Sequence, residues 1–345
     1  MEVAHWPDSP VDRDRFVLAR RGPRPAHDPW RHQGVVYEDE RGDDGRVWRT
    51  ATVFLTGREC PWRCVMCDLW MHTTTTDTPA GALVRQLTAA LDEMAARGET
   101  PAVLKLYNAG SFFDPRAVPE ADYAAIAAAV QPFRRVVVEA HPSLIGPRLT
   151  RFIEACRRTA GDGPSPAIEV AMGLETAHPR ALSALHKRFT LERFAAAASD
   201  VRRAGADLRV FLLVGVPFVP RDQQLTWTRQ SVATAFDVGA SVVSLIPTRP
   251  GNGALEALAA SGDFLAPSLA DVESALEAAV PIGRARTRIG RRDARVLADL
   301  WDLDRLATCP ACAPSRRARL AAMNLAQRVL PAVPCAVCQP QGVVS

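Results

Sequence analysis

Between residues 50 and 246, strand-length apolar runs alternate six times with helix-length segments. Strands are expected at about 50–55, 102–107, 134–140, 167–172, 207–214 and 241–246. The intervening helices are expected near 79–97, 119–130, 147–158, 178–204 and 222–237. Regular β/α alternation is the pattern of right-handed βαβ units, so the strands should run parallel. The runs VVV at 136–138 and VFLLV at 210–214 are apolar at every position, as expected when both faces of a sheet are covered. The expected fold class is α/β: a partial (β/α)6 TIM-like barrel, with an open doubly wound sheet as the rival. In either case ligands gather beyond the carboxyl ends of the strands.

The flanks break this pattern. Residues 1–33 are rich in Pro, Arg and Asp and read as an irregular arm. Val35 to Tyr37 and Val47 to Leu55 flank the polar segment EDERGDDGR, which reads as a hairpin turn. After Ala254 the alternation stops. A helix at 268–280, an Arg-rich stretch and a cysteine-bearing tail with a helix near 315–330 follow. The expected organisation is an arm and hairpin (1–49), a core barrel (50–255) and a C-terminal cysteine-rich metal-binding extension (256–345).

The chain has 345 residues, of which 48% are hydrophobic. That is enough for one large domain with an appendage. No apolar run approaches the ~20 residues that cross a bilayer, and the N-terminus lacks a basic region followed by an apolar one. A cytoplasmic protein with no membrane partner is expected. The net charge of +4 is uneven: from Arg284 to Arg328 there are 11 Arg and four Asp, a local +7, which leaves −3 for the remainder. Arg316, Arg317 and Arg319 are therefore candidates for an anionic substrate. A solvated Arg-rich surface is the alternative.

Eight cysteines in a reducing compartment point to metal binding or catalysis rather than disulfides. Cys60, Cys64 and Cys67 lie in the segment GRECPWRCVMCDLW, directly after the first strand of the alternation. Three thiolates on one short loop converge on one inorganic core. A zinc site calls for four ligands, and only His72 is nearby. On a four-iron cluster, three thiolates leave one iron open. Cys309, Cys312, Cys335 and Cys338 form two CxxC knuckles, a tetrathiolate set suited to Zn2+ or to an auxiliary [4Fe-4S] cluster. Cys156, in RFIEACRR, reads as a small core residue.

The Cys60-x3-Cys64-x2-Cys67 loop resembles the motif of the radical S-adenosylmethionine (SAM) superfamily. The resemblance implies a [4Fe-4S] cluster on these cysteines, with the amino and carboxylate groups of SAM chelating the open iron. It also implies an electron donor, and one-electron cleavage to methionine and a 5′-deoxyadenosyl radical. Members often carry an aromatic residue before the third cysteine, where Met66 stands here. LYNAGSFFDP (106–115) resembles the element that binds the SAM amino-acid moiety, which implies roles for Asn108, Gly110 and Ser111. VVVEAHP (136–142) places Glu139 where related proteins use a carboxylate against the SAM ribose or ammonium. Related sequences often have Arg in place of His141. MGLET (172–176) and HKRFTLERF (186–194) look like the elongator-catalytic-subunit and archaeosine-synthase branch, which draws in Glu175 and Lys187.

The resulting expectation is a radical SAM enzyme whose substrate class, by resemblance, is tRNA or a modified 7-deazapurine nucleobase. The alternatives are a peptide or cofactor maturase and a non-enzymatic, zinc-stapled nucleic-acid-binding protein.

Overall fold

The computed structural model describes residues 5–287 and 294–338. One eight-stranded sheet organises it, with strands in chain order: β1 (Gly34–Arg41), β2 (Val47–Phe54), β3 (Val103–Tyr107), β4 (Arg135–Ala140), β5 (Ala167–Glu175), β6 (Asp207–Val214), β7 (Val242–Pro247) and β8 (Arg295–Ala298). The first pair is a hairpin, in antiparallel register from Gly34↔Phe54 to Arg41↔Val47; its turn is shorter than expected, because Glu38 to Arg41 of the polar segment belong to β1. Every later pair is parallel. The sheet curls: Glu40 on β1 forms an ion pair with Arg209 on β6 across the enclosed space. No ladder joins β1 to β8 among the described residues, so the barrel is partial.

The helices are α1 (Pro10–Leu18), α2 (Ala82–Ala96), α3 (Tyr123–Ala129), α4 (Pro147–Ala160), α5 (Pro179–Ala184), α6 (Leu191–Arg203), α7 (Gln224–Asp237), α8 (Ala254–Ser261), α9 (Leu269–Thr287) and α10 (Ala313–Ala326). Their starts are legible locally. Ser9 accepts from Asp12 N ahead of Pro10, and Thr190 accepts from Arg193 N to begin α6. Leu149, Phe152, Ile153 and Cys156 repeat at helical spacing on α4 and are buried, which makes Cys156 a core residue.

Two elements depart from expectation. The N-terminal arm contains α1, whose Phe16 and Val17 pack in a cluster with Val65 of the cysteine loop and Leu255 of α8. The alternation also resumes late. Helix α9 and the four-residue β8 add a further βα unit, so the sheet draws on both the expected arm and the expected extension. β8 is too short and too close to arginines to stand out as an apolar run. Arg288, Arg291 and Arg292 of the basic stretch lie outside the described residues. No helix among the described residues is long and apolar enough to cross a membrane.

Candidate functional site

The strands' carboxyl ends surround a cavity of about 620 Å³ that reaches down into the barrel. Cys60, Cys64 and Cys67 enter it from the loop after β2. That loop is clamped from three sides. Asn252, after β7, donates from Nδ2 to Val65 O (2.8 Å) and Cys67 O (3.3 Å). Val65 N donates to Leu185 O (3.2 Å). Glu59, beside the first cysteine, pairs with Arg21 (2.8 Å), Arg63 (3.1 Å) and Arg24. Two of those three guanidinium groups come from the arm, so the arm helps set the loop. Burial raises all three thiols above their ordinary pKa, Cys64 to about 12. Burial therefore disfavours thiolates here, and a cationic core would supply the charge that they need. The three sulfurs are not gathered as closely as ligands of a single ion; among the described residues only the tail cysteines are. All three thiols line the one cavity.

Beside the cysteines, Glu139 at the end of β4 lines the cavity. Its Oε1 accepts from the backbone N–H groups of Asn108 (2.7 Å) and Gly110 (3.3 Å). Burial pushes its pKa up to about 7 against those donors, which pull it down. A cation placed against this carboxylate would ionise it. Gly110 lies against the loop: a Cβ there would stand 3.6 Å from Cys60 Cβ. Asn108 is fully buried, and neither side-chain polar atom has a partner. Ser111 is fully buried too, but its hydroxyl accepts from His141 N (3.2 Å) and it does not line the cavity. Its side chain ties the β3 loop to the end of β4.

Glu175 and Lys187 come together. Lys187 Nζ sits 2.5 Å from Glu175 Oε1 and 2.8 Å from Gly173 O, next to the thiol loop. Burial opposes the charge on Lys187, but Glu175 outweighs it and holds the amine above its usual pKa. Glu175 adopts φ 68° beside a register shift in β5, which turns its side chain to the amine.

Other cavity residues escape a search for motifs. Trp62, inside the cysteine loop, stacks on His141 at 3.5 Å, with the planes 15° apart. Burial first, then Lys187, keeps this imidazole neutral, with a pKa near 3. Deeper down, Lys105 on β3 binds Glu38 (2.6 Å) and Glu40 (2.7 Å) of β1. Arg209 on β6 binds Glu40 and Glu169. The signal was present in VLKLY, AIEVAM and DLRVFLL: one charge amid strand apolars marks a face turned to the barrel interior. Arg249 meets Asp299 at 2.7 Å, a carboxylate of the same chain.

The tail cysteines lie around α10. Cys309 and Cys335 sulfurs are 4.0 Å apart, Cys312 and Cys338 3.6 Å, and all four lie within 4.8 Å of one another. Backbone N–H groups of Cys338 and Val337 lower the Cys335 thiol to about 7. Of the three arginines expected to form an anion-binding array on α10, two are engaged within the protein. Arg316 binds Glu273 (2.8 Å), and Arg319 binds Glu273 (3.0 Å) and Glu277 (2.7 Å). These arginines fasten α10 to α9.

No family model matches the chain. Among curated proteins it is similar to archaeosine synthase subunit beta of Methanosarcina acetivorans, 24% identical over 237 residues, or 66% of this chain. The chain spans 65% of that relative's length. Among solved structures it resembles a radical SAM methyltransferase from Sphaerobacter thermophilus, with a TM-score of 0.50 and 20% identity over 80% of this chain and 79% of the other. The two share the fold of a partial β/α barrel.

Proposed function

Proceeding from this relation to the radical SAM superfamily, we propose that the protein is an enzyme that reductively cleaves SAM at a [4Fe-4S] cluster held by Cys60, Cys64 and Cys67. The observation that carries the reading is the clamped loop that presents three thiols to one cavity at the carboxyl ends of parallel strands, a cavity large enough for a cofactor and a substrate. When bound, the cluster supplies the single electron that breaks the SAM carbon–sulfur bond and gives a 5′-deoxyadenosyl radical. The chain's own groups orient and enclose. Glu139 offers a carboxylate to the SAM ammonium or ribose. The Gly110 backbone approaches the cofactor closely, while Asn108 does not line the cavity and acts through its backbone N–H, which donates to Glu139. Glu175 and Lys187 form a fixed ion pair beside the thiolates. Trp62 and His141 provide a neutral aromatic face. Ser111 acts indirectly, through the backbone of His141.

The tail set is read as structural zinc. A tetrahedral Zn2+ with sulfurs at ~2.3 Å holds neighbouring sulfurs about 3.8 Å apart, which matches the 3.6 and 4.0 Å separations. A cubane places each thiolate on a different iron and spreads them wider. A tRNA or modified nucleobase is the proposed substrate class, supported by the name of the curated relative and by cavity size. The deep cavity favours an enzyme over a zinc-stapled binding protein.

The test is anaerobic reconstitution with iron and sulfide, then strong reduction with SAM. Wild type should release 5′-deoxyadenosine. The Cys60→Ala/Cys64→Ala/Cys67→Ala protein should release none and should retain about one zinc. Absence of cleavage by a fully loaded wild type would remove the SAM reading. Iron and sulfide in the triple variant would remove the zinc reading.

A further inference from the structure

The outer edge of β8 is met by two side-chain amides rather than by another strand. In a parallel pair, alternate residues direct their N–H and C=O to opposite sides. Arg295 N bonds toward β7, to Ser241 O (3.1 Å). Val296 and Ala298 therefore turn theirs to the free edge. Asn324 Oδ1 accepts from Ala298 N (2.8 Å), and Asn324 Nδ2 donates to Ala298 O (2.8 Å). One turn on, Gln327 Oε1 accepts from Val296 N (2.9 Å), and Gln327 Nε2 donates to Val296 O (2.9 Å). Each amide copies the peptide group of a missing strand. On the other side of the gap, Arg41 of β1 donates to Leu325 O (3.3 Å), and Arg295 donates to Arg41 O (2.9 Å). Helix α10 thus spans the opening between β8 and β1, and its Ala321, Asn324 and Leu325 line the cavity. The tail thiols lie in its two flanks, Cys309 and Cys312 before it and Cys335 and Cys338 after it.

We infer that the tail metal site is a latch for the cavity: by tying the two flanks of α10 together, it keeps Asn324 and Gln327 engaged on β8 and so holds the side wall of the barrel shut. Asn324 and Gln327 are positioning residues. The inference rests on the tail set binding a metal, and it is independent of what happens at Cys60, Cys64 and Cys67. Losing the metal should release the wall while the rest of the sheet stays folded, because β2 to β7 pair with one another without α10.

Hydrogen exchange of the whole zinc-loaded chain of 345 residues reads this directly at Val296 and Ala298, whose N–H groups the amides cap. In Cys335→Ser/Cys338→Ser, zinc should be lost. Exchange at these two positions should rise about tenfold, the effect of losing one or two modest hydrogen bonds. Exchange at Val136 and Val138 of β4 should not change. Asn324→Leu/Gln327→Leu should give the same rise while keeping its zinc. Stripping zinc from wild type with a chelator and adding it back should raise and then restore the protection, which covers the case of a variant that fails to fold. Protection at Val296 and Ala298 that is indifferent to the metal would overturn the latch. So would an equal rise in β4, which would mark a general loss of stability. Iron and sulfide in the wild-type tail would change the identity of the metal, while the exchange result would still decide the latch.

Discussion

Glu139 is held in a state that its own fold disfavours when ionised. Its pKa of about 7 lies above the 4.5 of an ordinary glutamate. A carboxyl with a raised folded-state pKa adds stability that is fully present below about pH 4.5 and is lost as pH rises toward 7. The gap between the two corresponds to about 3 kcal/mol. Urea unfolding of the SAM-free protein should therefore show stability falling from pH 4.5 to 7 by an amount that Glu139→Gln lacks. The glutamine Oε1 still accepts from Asn108 and Gly110. Equal pH slopes in the two proteins would show that the carboxyl is not forced. The same chemistry suits a site for a cationic cofactor, since a positive group at Glu139 converts a cost of burial into an attraction.

At the scale of elements, the β5 bulge decides how Glu175 reaches Lys187. A Cβ at Gly173 would press into Glu175 Oε1 and Lys187 Nζ, closer than real Cβ contacts come. Gly173→Ala should cost about 1–3 kcal/mol by displacing a buried ion pair. Gly22→Ala, with nothing within 4 Å, should stay within about 0.5 kcal/mol. Thermal unfolding compares them, and equal small effects would show that the pair moves freely. This element also shows how far the sequence can be read. The parallel strands and the cysteine loop were legible because apolar runs and cysteine spacing are local signals. Gly173 reads only as one letter of a strand. Its necessity appears once residue 187, fourteen positions on, folds back across it. The same holds for β8 and for Asn324: a four-residue strand has too few positions to show a period, and an amide that completes a sheet edge looks like any polar helix residue. The ion pairs of Arg316 and Arg319 are hidden for a related reason, since their partners Glu273 and Glu277 lie on a different helix.

Across the whole molecule, the barrel interior is unusual in carrying a line of charges where such cores are filled with branched apolar side chains. Glu38 and Glu40 on β1, Lys105 on β3, Arg135 on β4, Glu169 on β5 and Arg209 on β6 form one connected set. It joins the N-terminal hairpin to strands on the far side of the curl, and so helps shape the partial barrel. Burial opposes the charge on Glu40, but Arg209 and Lys105 outweigh it and hold the carboxylate well below its usual pKa. That contribution is present above about pH 4.5 and is lost as pH falls through the folded value. Lys105→Met fits the same space but leaves Glu38 without a counter-ion and Glu40 with Arg209 alone. It should cost about 3 kcal/mol at pH 7. Its Glu40 would then protonate at a higher pH, so the deficit relative to wild type should shrink toward pH 4. Adding Glu38→Gln should recover part of the loss, because the orphaned carboxylate is then gone. Urea unfolding of the four proteins of this cycle at pH 4 and pH 7 measures both effects. A deficit that is the same at both pH values and untouched by Glu38→Gln would mean that Lys105 matters for its packed methylenes, and that the curl does not depend on this charge network.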